Sequence, residues 1–282
     1  MNVGIVGLGL IGGSFAKGYR KNAPDCVIYA DNRTAAVTEK AIADGVVNAP
    51  MDEENIALCD IIIISLFTDA AVKWLTAHKD LISGSTVVVD ACGIKRRMCA
   101  EGYALSKSGK NGFRFIGGHP MAGTEKAGYD NSLEDLYAGA SMILVPEDEN
   151  DTELIGRAKE LLSPLKFGMF VITDPDHHDR MIAYTSQMMH VMANSIVKND
   201  KCEYVPGFTG GSFQDMTRVA FLNPSMWTEL FMNNKDYLLE DIATEIEELN
   251  KYAEAIRTGD EDTLMKLLDE GRKRREALDI GR

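Results

Sequence analysis

Short apolar runs alternate with segments of helical period along residues 1–173. Apolar runs bounded by turn residues predict strands at Asn2–Val6, Cys26–Ala30, Asp60–Ser65, Thr86–Asp90, Phe113–Ile116, Ser141–Val145 and Phe167–Thr173. Between them, the spacing of apolar residues predicts helices at Ile11–Lys21, Thr34–Asp44, Asp69–Leu81, Lys95–Ser106 and Thr152–Leu162. Because strand and helix alternate in this way in parallel sheets, we predict an α/β Rossmann-type domain over residues 1–173.

Residues 174–282 have a different pattern, which is helical throughout. Thr173 or Asp174 can cap a helix and Pro175 suits its first position, so we predict a long helix from there towards Val197. This segment is rich in methionine and isoleucine and has little polar face, which predicts deep burial.

A second long helix is predicted from Asn223–Pro224 to about Thr258, where Thr258–Gly259–Asp260 ends it and begins another. At about 1.5 Å per residue it approaches a length of ~50 Å, more than one small domain covers. We therefore expect residues 174–282 to be an all-α domain that forms a homodimer through its C-terminal helices.

Charge and cysteine content narrow the range of partners. The 282 residues carry a formal net charge of −13, whereas nucleic acids and anionic membranes bind clustered positive charge, so we expect a small-molecule ligand instead. Five scattered cysteines without a CxxC pair indicate free thiols, no metal site and a reducing cytoplasm. The most apolar run, Ile61–Phe67, is far shorter than the roughly 20 residues of a spanning helix, and the N-terminus lacks a basic leader, so neither a membrane span nor a secretion signal is expected.

The N-terminal segment GLGLIG, Gly7–Gly12, matches the dinucleotide fingerprint GxGxxG between a predicted strand and a predicted helix. Asp31 follows at the end of the second strand, where a carboxylate binds a ribose diol and disfavours a 2′-phosphate. This predicts NAD as the cofactor, although Arg33 could pair with the phosphate of NADP. The predicted cofactor contacts are Gly7, Gly9, Leu10, Ile11, Gly12, Asp31, Arg33, Ser65, Leu66 and Gly93.

Histidine suits the control of a proton beside a nicotinamide, because its pKa lies near 6.5. Of the five histidines, His78, His177 and His178 occur in polar surroundings and are expected to be solvated, whereas His190 lies in the buried helix. His119 follows two glycines at the predicted end of a strand, where ligands bind in such sheets, and is the candidate base.

Four segments carry a resemblance that covers nearly the whole chain: GLGLIGGS, GGHPMAGTEKAG, SQMMH and GGSFQDMTRVA. They resemble the prephenate and arogenate dehydrogenases of tyrosine biosynthesis. The resemblance implies an oxidative decarboxylation, in which hydride passes from the hydroxyl-bearing ring carbon to NAD and the ring carboxylate leaves as carbon dioxide. It also implies a dinucleotide-binding domain joined to a dimerising helical domain.

The resemblance assigns roles residue by residue. His119 matches the catalytic histidine that takes the proton of the ring hydroxyl, and His190 matches a second active-site histidine. Arg218 matches an arginine that binds a substrate carboxylate, and Thr124 lies in the substrate loop. Gln187 stands where some relatives have a histidine and is assigned to the substrate site.

Two substitutions set this chain apart from its relatives. Gly93 stands where many of them have a serine, so the role of that hydroxyl must be met otherwise. The neutral Gln187 gives no charge-based choice between prephenate and arogenate. We predict an NAD-dependent prephenate dehydrogenase; the alternatives are an arogenate dehydrogenase, a hydroxyacid or imine reductase of similar plan, and a nucleotide-sensing protein without turnover.

Overall fold

A computed structural model describes residues 1–278, so the last four residues of the predicted second domain, 279–282, lie outside the described part. Its strands are β1 Asn2–Val6, β2 Val27–Asp31, β3 Ala49–Pro50, β4 Ile61–Ile64, β5 Val87–Asp90, β6 Arg114–Pro120, β7 Ser141–Val145 and β8 Met169–Ile172. They form one sheet in the order β3-β2-β1-β4-β5-β6-β7-β8. All neighbouring strands are parallel except β6 and β7. This confirms the predicted α/β Rossmann-type architecture.

Helices cover both faces of this sheet and make up most of residues 174–278. They are α1 Leu10–Asn22, α2 Ala35–Ala43, α3 Glu53–Ile56, α4 Thr68–His78, α5 Arg96–Ser108, α6 Thr152–Leu162, α7 Pro175–Ile182, α8 Met188–Val197, α9 Gly211–Thr217, α10 Pro224–Asn233, α11 Lys235–Thr258 and α12 Glu261–Ala277. Within residues 1–278, none of these helices is both long and apolar enough to cross a membrane.

The continuous apolar runs of the central strands follow from burial on both faces of the sheet. In β4, Ile61 and Ile63 belong to an apolar cluster on one face, and Ile62 and Ile64 belong to a cluster on the other. All four side chains are fully buried. Successive side chains of a strand point to opposite faces, so a strand covered on both sides needs no polar positions.

Strand β6 is longer than predicted, because the strand does not end at Ile116 but continues to Pro120. Residues up to Ile116 pair in parallel with β5, and Gly117–Pro120 pair antiparallel with β7. His119 lies in this second part, opposite Ile143. It is therefore held by a backbone ladder just past the last parallel pair, rather than in a loop.

The helix predicted from Asp174 to Val197 contains a π-helical turn at Ala183–Gln187, between α7 and α8. The prediction that this segment is deeply buried is wrong for one of its faces. Ile182 and Met188 are buried, but Met181 and Met189 are exposed. An apolar face without a partner in the single chain accounts for the difference.

The predicted helix of ~50 Å is also wrong, because it is interrupted at Asn234. At the break, the fully buried Asn234 side chain forms hydrogen bonds with residues distant in sequence, and its backbone leaves helical geometry at φ −130°. Residues Met1–Asn234 form one compact unit, and the chain from Lys235 onward forms a second. In the second unit, the 24-residue α11 pairs with α12, and Tyr252 donates a hydrogen bond to the carbonyl of Leu267.

Candidate active site

The turn between β1 and α1 has the shape of a phosphate-binding turn. Gly7 has a φ of +90°, and a Cβ there would lie 2.6 Å from the carbonyl oxygen of Ser65. At Gly12 a Cβ would lie 1.8 Å from the carbonyl oxygen of Gly7, so both positions require glycine. A Cβ at Gly9 would meet nothing within 4 Å, which leaves open space in front of the helix.

The N-terminus of α1 offers backbone donors to this space. Gly9 is the N-cap and supplies no side-chain cap, and the first turn holds no acidic residue. The first amides of a helix have no partner within the helix, and with the helix dipole they attract anions. Leu10 and Ile11 begin the helix here, so the predicted glycine-turn contacts surround one anion-binding position.

Asp31 ends β2 beside β1, as the ribose-binding role requires. One carboxylate oxygen, Oδ2, accepts a hydrogen bond of 2.6 Å from the indole nitrogen of Trp74 in α4. This contact orients the carboxylate while its other oxygen retains acceptor capacity. Arg33 lies two residues further on and is exposed.

Ser65 and Leu66 follow β4, and Gly93 follows β5, so all three lie at the carboxyl edge of the parallel strands. The Oγ of Ser65 is buried without a hydrogen-bond partner among the described residues, and the Ser65 backbone contacts Gly7 as noted above. At Gly93 a Cβ would lie 3.3 Å from the Leu230 side chain of α10, so Leu230 borders this position.

The two glycines before His119 are explained by close packing. A Cβ at Gly118 would lie 2.3 Å from the carbonyl oxygen of Asp90, and at Gly117 it would lie 2.5 Å from the sulfur of Cys99. The Gly118 amide donates to Asp90 Oδ1 at 3.1 Å, and its carbonyl accepts from Lys95 Nζ at 2.7 Å. Lys95 and Asp90 also form a fully buried ion pair. The backbone that carries His119 is therefore fixed on both sides.

His119 belongs to a chain of hydrogen bonds that ends on a buried carboxylate. Its Nδ1 lies 2.9 Å from Nε2 of His178, and Nδ1 of His178 lies 2.7 Å from Oδ1 of Asp179. His178 is buried, so the prediction that it is solvated is wrong. The cause is its position in the first turn of α7, whose inner face packs onto α5 and β6; His177, one residue earlier, is exposed as predicted.

Burial lowers the pKa of both imidazoles in this chain. For His119, whose pKa falls well below its usual range, desolvation is the main cause, and the neighbouring His178 ring and the positive charge of Lys95 act in the same direction. For His178, desolvation lowers the pKa and outweighs the opposing hydrogen bond to Asp179. His119 is therefore neutral at pH 7, the state required of a base.

Gln187 has a structural position next to this chain. Its side chain is buried; its amide nitrogen donates to the carbonyl of Leu230 at 3.1 Å, and its oxygen accepts from Asn234 at 3.0 Å. Asn234 also donates to the backbone carbonyl of Asp179 at 2.8 Å and accepts from Arg96 at 2.9 Å. The predicted substrate contact of Gln187 stays a prediction, and the structure places this amide between α10 and Asp179.

His190 and Arg218 form a second cluster. His190 donates through Nδ1 to the carbonyl of Val219 at 2.8 Å and lies against Trp227, with ring centroids 3.7 Å apart. Desolvation is the main cause that lowers its pKa, and the nearby charge of Arg218 contributes. Arg218 is exposed. Among residues 1–278, no hydrogen bond joins this cluster to His119.

Thr124 lies in the exposed segment that follows His119, and its hydroxyl accepts a hydrogen bond of 3.3 Å from the amide of Lys126. This loop, residues 121–128, leaves the strand end that carries His119. Its residues are exposed except Ala122, which packs against the core.

Three residues of the site were missed by sequence reasoning: His178, Asp179 and Lys95. The available signal was the HHD triplet at residues 177–179, separated from Pro175 by one residue, in which a histidine and an aspartate precede an apolar helical pattern. Lys95 gave no signal, because a lysine at the start of a helix is ordinarily solvated.

Comparisons with known proteins cover both parts of the chain. The model of the prephenate dehydrogenase nucleotide-binding domain matches residues 15–171, and that of the prephenate dehydrogenase dimerization domain matches residues 174–270. The two matches meet at the predicted domain boundary, which itself stays a prediction.

Curated relatives and a solved structure agree with these matches. The chain is 30% identical to a prephenate dehydrogenase of Lactococcus lactis subsp. cremoris, over 98% of this chain and 77% of the relative. It is 27% identical to a cyclohexadienyl dehydrogenase of Zymomonas mobilis, over 98% of this chain and 96% of the relative. Its structure is similar to that of an Aquifex aeolicus prephenate dehydrogenase in complex with hydroxyphenyl propionate and NAD+, with a TM-score of 0.86, 28% identity and coverage of 99% and 98% of the two chains.

Proposed function

The chain belongs to the prephenate dehydrogenase family, and from this premise we propose that it converts prephenate to 4-hydroxyphenylpyruvate and carbon dioxide with NAD as the oxidant, in tyrosine biosynthesis. The observation that supports this most is His119: a neutral imidazole is anchored at the carboxyl edge of a dinucleotide-binding sheet. An enzyme that oxidises an alcohol next to a nicotinamide needs a base in this place.

NAD fits the residues that would hold it. The open space at Gly9 admits a pyrophosphate onto the first amides of α1, and Asp31 can accept the hydroxyls of a ribose. The unpartnered Oγ of Ser65 is a further polar group at the same edge. When bound, the nicotinamide supplies the acceptor for the hydride that leaves the ring carbon of the substrate.

His119 would hold and return one proton. Its Nε2 takes the proton of the ring hydroxyl while the hydride leaves the same carbon. The carbon–carbon bond to the ring carboxylate then breaks, and its electron pair makes the ring aromatic and carries negative charge to the oxygen, which recovers the proton from His119. No net proton is released, and the products are 4-hydroxyphenylpyruvate, carbon dioxide and NADH.

Arg218 and His190 are the groups that we assign to the rest of the substrate. A guanidinium binds a carboxylate through two parallel hydrogen bonds, and prephenate carries two carboxylates. Since Nδ1 of His190 donates to Val219, its Nε2 is the free ring nitrogen that can face a ligand. Trp227 supports this ring from one side.

Arogenate is the second candidate substrate, because one relative of nearly equal length is a cyclohexadienyl dehydrogenase.

The five free thiols suit a reducing compartment, and we place the enzyme in the cytoplasm. The match to a dimerization domain supports a homodimer formed through the C-terminal helices.

A two-by-two assay tests the function. Purified protein is mixed with prephenate or arogenate and with NAD or NADP, and the absorbance of reduced nicotinamide is recorded together with the aromatic product. We expect the highest kcat/KM with prephenate and NAD, and 4-hydroxyphenylpyruvate as the product. Faster turnover of arogenate to tyrosine would reassign the substrate, and NADH binding without turnover of either compound would contradict the enzymatic function.

The variant His119→Asn tests the base in the same assay. Removing a group that acts in the transition state lowers kcat, here by about 10²- to 10⁴-fold, with a smaller effect on KM. Near-normal turnover in this variant would show that another group takes the proton.

A further inference from the structure

Asp179 is an acceptor on both of its oxygens. Oδ1 accepts the Lys95 amide at 2.7 Å, and Oδ2 accepts the Arg96 amide at 2.9 Å. Both amides belong to the start of α5, so this carboxylate is bound at a helix N-terminus. The third close contact, from Nδ1 of His178 to Oδ1, must therefore have its hydrogen on the imidazole.

The hydrogen on Nδ1 of His178 determines the tautomer of His119. A neutral imidazole carries one N–H, so His178 with hydrogen on Nδ1 has a lone pair on Nε2. The 2.9 Å contact between this Nε2 and Nδ1 of His119 then requires hydrogen on Nδ1 of His119. The lone pair of His119 is left on Nε2, which makes no hydrogen bond with any residue in the described range 1–278, and the side chain is only partly buried.

We propose that His178 and Asp179 are positioning residues that fix His119 as the Nδ1–H tautomer, so that Nε2 is free to take the substrate's proton. The proposal rests on the function proposed above, in which His119 is the base. Without such a partner a neutral histidine populates both tautomers, and the one with hydrogen on Nε2 cannot accept a proton at that atom.

Within residues 1–278, no group other than His178 contacts Nδ1 of His119. Asp90 and Lys95 are paired with each other and with the backbone of Gly118. Gly93, which follows β5 at the same edge, has no side chain that could bind the ring. In this described part, the charged groups near the two rings are Asp90 from β5, Lys95 and Arg96 from the start of α5 and Asp179 from α7. Arg96 Nε lies 3.4 Å from Oδ2 of Asp179, and Asp179 is the charged group that contacts His178.

Two substitutions at one position separate tautomer control from simple packing. Both His178→Gln and His178→Leu remove the imidazole, but the glutamine oxygen can still accept a hydrogen bond from Nδ1 of His119. We expect kcat for prephenate to fall about a hundredfold in His178→Leu with KM little changed, and His178→Gln to keep a kcat at least about tenfold higher than that of the leucine variant. Equal losses in both variants would contradict the proposal.

The matched control is the neighbouring position. His177 is exposed in the same helical turn, and only its backbone amide, which donates to Asp174, takes part in a hydrogen bond. His177→Leu and His177→Gln should leave kcat and KM at the wild-type values. A loss of kcat in the His177 variants equal to that in the His178 variants would show that the kcat depends on the fold of this helical turn and not on the contact between the His178 and His119 rings.

Nitrogen NMR measures the tautomer directly. Protein with ¹⁵N-labelled histidine is recorded without substrate or NAD at neutral pH, and the His119 signals are assigned from their loss in His119→Asn. We expect a protonated Nδ1 and an unprotonated Nε2 in wild type and His178→Gln, and averaged signals in His178→Leu. A protonated Nε2 in the wild type would overturn the proposal.

This measurement does not depend on turnover. If the assay shows no dehydrogenase activity while the spectra show the expected tautomer, the proposed function fails and the hydrogen-bond chain stands. If the enzyme is active and wild-type His119 has its hydrogen on Nε2, the tautomer proposal fails and the function stands.

Discussion

The guanidinium of Arg218 is exposed and makes no hydrogen bond with a side chain in the described part of the molecule. A free guanidinium close to His190 is suited to a substrate carboxylate. We expect Arg218→Ala to raise KM for prephenate by about 10- to 100-fold, since a charge-assisted hydrogen bond contributes about 1.5–3 kcal/mol. Steady-state kinetics check this, and kcat should change less.

Arg218→Lys separates charge from geometry. Lysine keeps the positive charge but loses the planar pair of donors, so its KM should lie between those of wild type and Arg218→Ala. Arg157→Ala, on the outer face of α6, is the control and should not alter KM. An unchanged KM in Arg218→Ala would move carboxylate recognition to another residue.

The lowered pKa values of His119 and His178 also affect stability. Unfolded histidines have a pKa near 6.5, so below about pH 6.5 the unfolded chain binds more protons than the folded chain. The free energy of unfolding should therefore fall as the pH drops below that value, by up to about 1.4 kcal/mol per pH unit for each histidine that stays neutral.

Urea unfolding between about pH 7.5 and 5.5 at constant protein concentration measures this slope. The slope should be smaller in His178→Gln, which lacks one of the two rings. A free energy of unfolding that is constant or rises towards pH 5.5 would show that the folded rings accept protons as readily as the unfolded ones.

Individual residues of the candidate site could be predicted from the sequence where a local motif marked them. His119 was identified by its position after two glycines, and the placement of Asp31 needed only the strand before it. His178 was missed because its burial depends on α5 and Asp179 packing around it, which no local pattern of polar residues reveals.

Among the elements, β6 can pack beside β5 at its C-terminal end only because residue 118 is glycine. A Cβ at Gly118 would overlap the Asp90 carbonyl oxygen at 2.3 Å and Val89 at 2.6 Å. Gly118→Ala should destabilise the protein by about 1–3 kcal/mol, as overpacking does, and should displace His119 and lower kcat. Urea unfolding and the dehydrogenase assay measure the two effects.

Gly156→Ala is the matched control. Gly156 lies in α6 with nothing within 4 Å of an added Cβ, so alanine there should stabilise the helix by up to about 1 kcal/mol. Wild-type stability in Gly118→Ala would mean that β6 can shift away from β5 without cost.

The strands and helices of the parallel sheet were predictable because their patterns are regular. The runs Asn2–Val6 and Ser141–Val145 and the helix Thr152–Leu162 have the predicted bounds. The break at Asn234 was not predictable, because an asparagine within an apolar helical pattern is usually exposed. Here the amide is drawn inward by Gln187, Arg96 and the carbonyl of Asp179, partners distant in sequence.

At the scale of the whole molecule, α11 has an exposed row of apolar side chains, here called the α11 stripe, that a second chain could cover. Leu239, Ile246, Leu249 and Ile256 are exposed in the single chain and recur at the heptad spacing of helices that pair with other helices. This supports a homodimer, in which the stripe is covered by a second copy.

Substitution within the stripe tests the dimer. We expect light scattering to give twice the chain mass of 31.0 kDa for wild type, and a mass nearer to that of one chain for Ile246→Glu. Glu247→Lys, an exposed position beside the stripe, is the control and should stay dimeric. A wild-type mass of one chain, or an unchanged mass in Ile246→Glu, would contradict assembly through α11.

The π-helical turn at Ala183–Gln187 sets the angular phase between two histidines of the site. His190 follows His178 by twelve residues, which in a uniform α-helix would rotate the two side chains about 120° apart at ~100° per residue. A π turn absorbs one extra residue, so the effective separation is about three full turns and both rings leave the helix in nearly the same direction. One residue more or less between them would turn His190 about a quarter of the way around the helix axis, so the length of this segment is as constrained as the identity of its histidines.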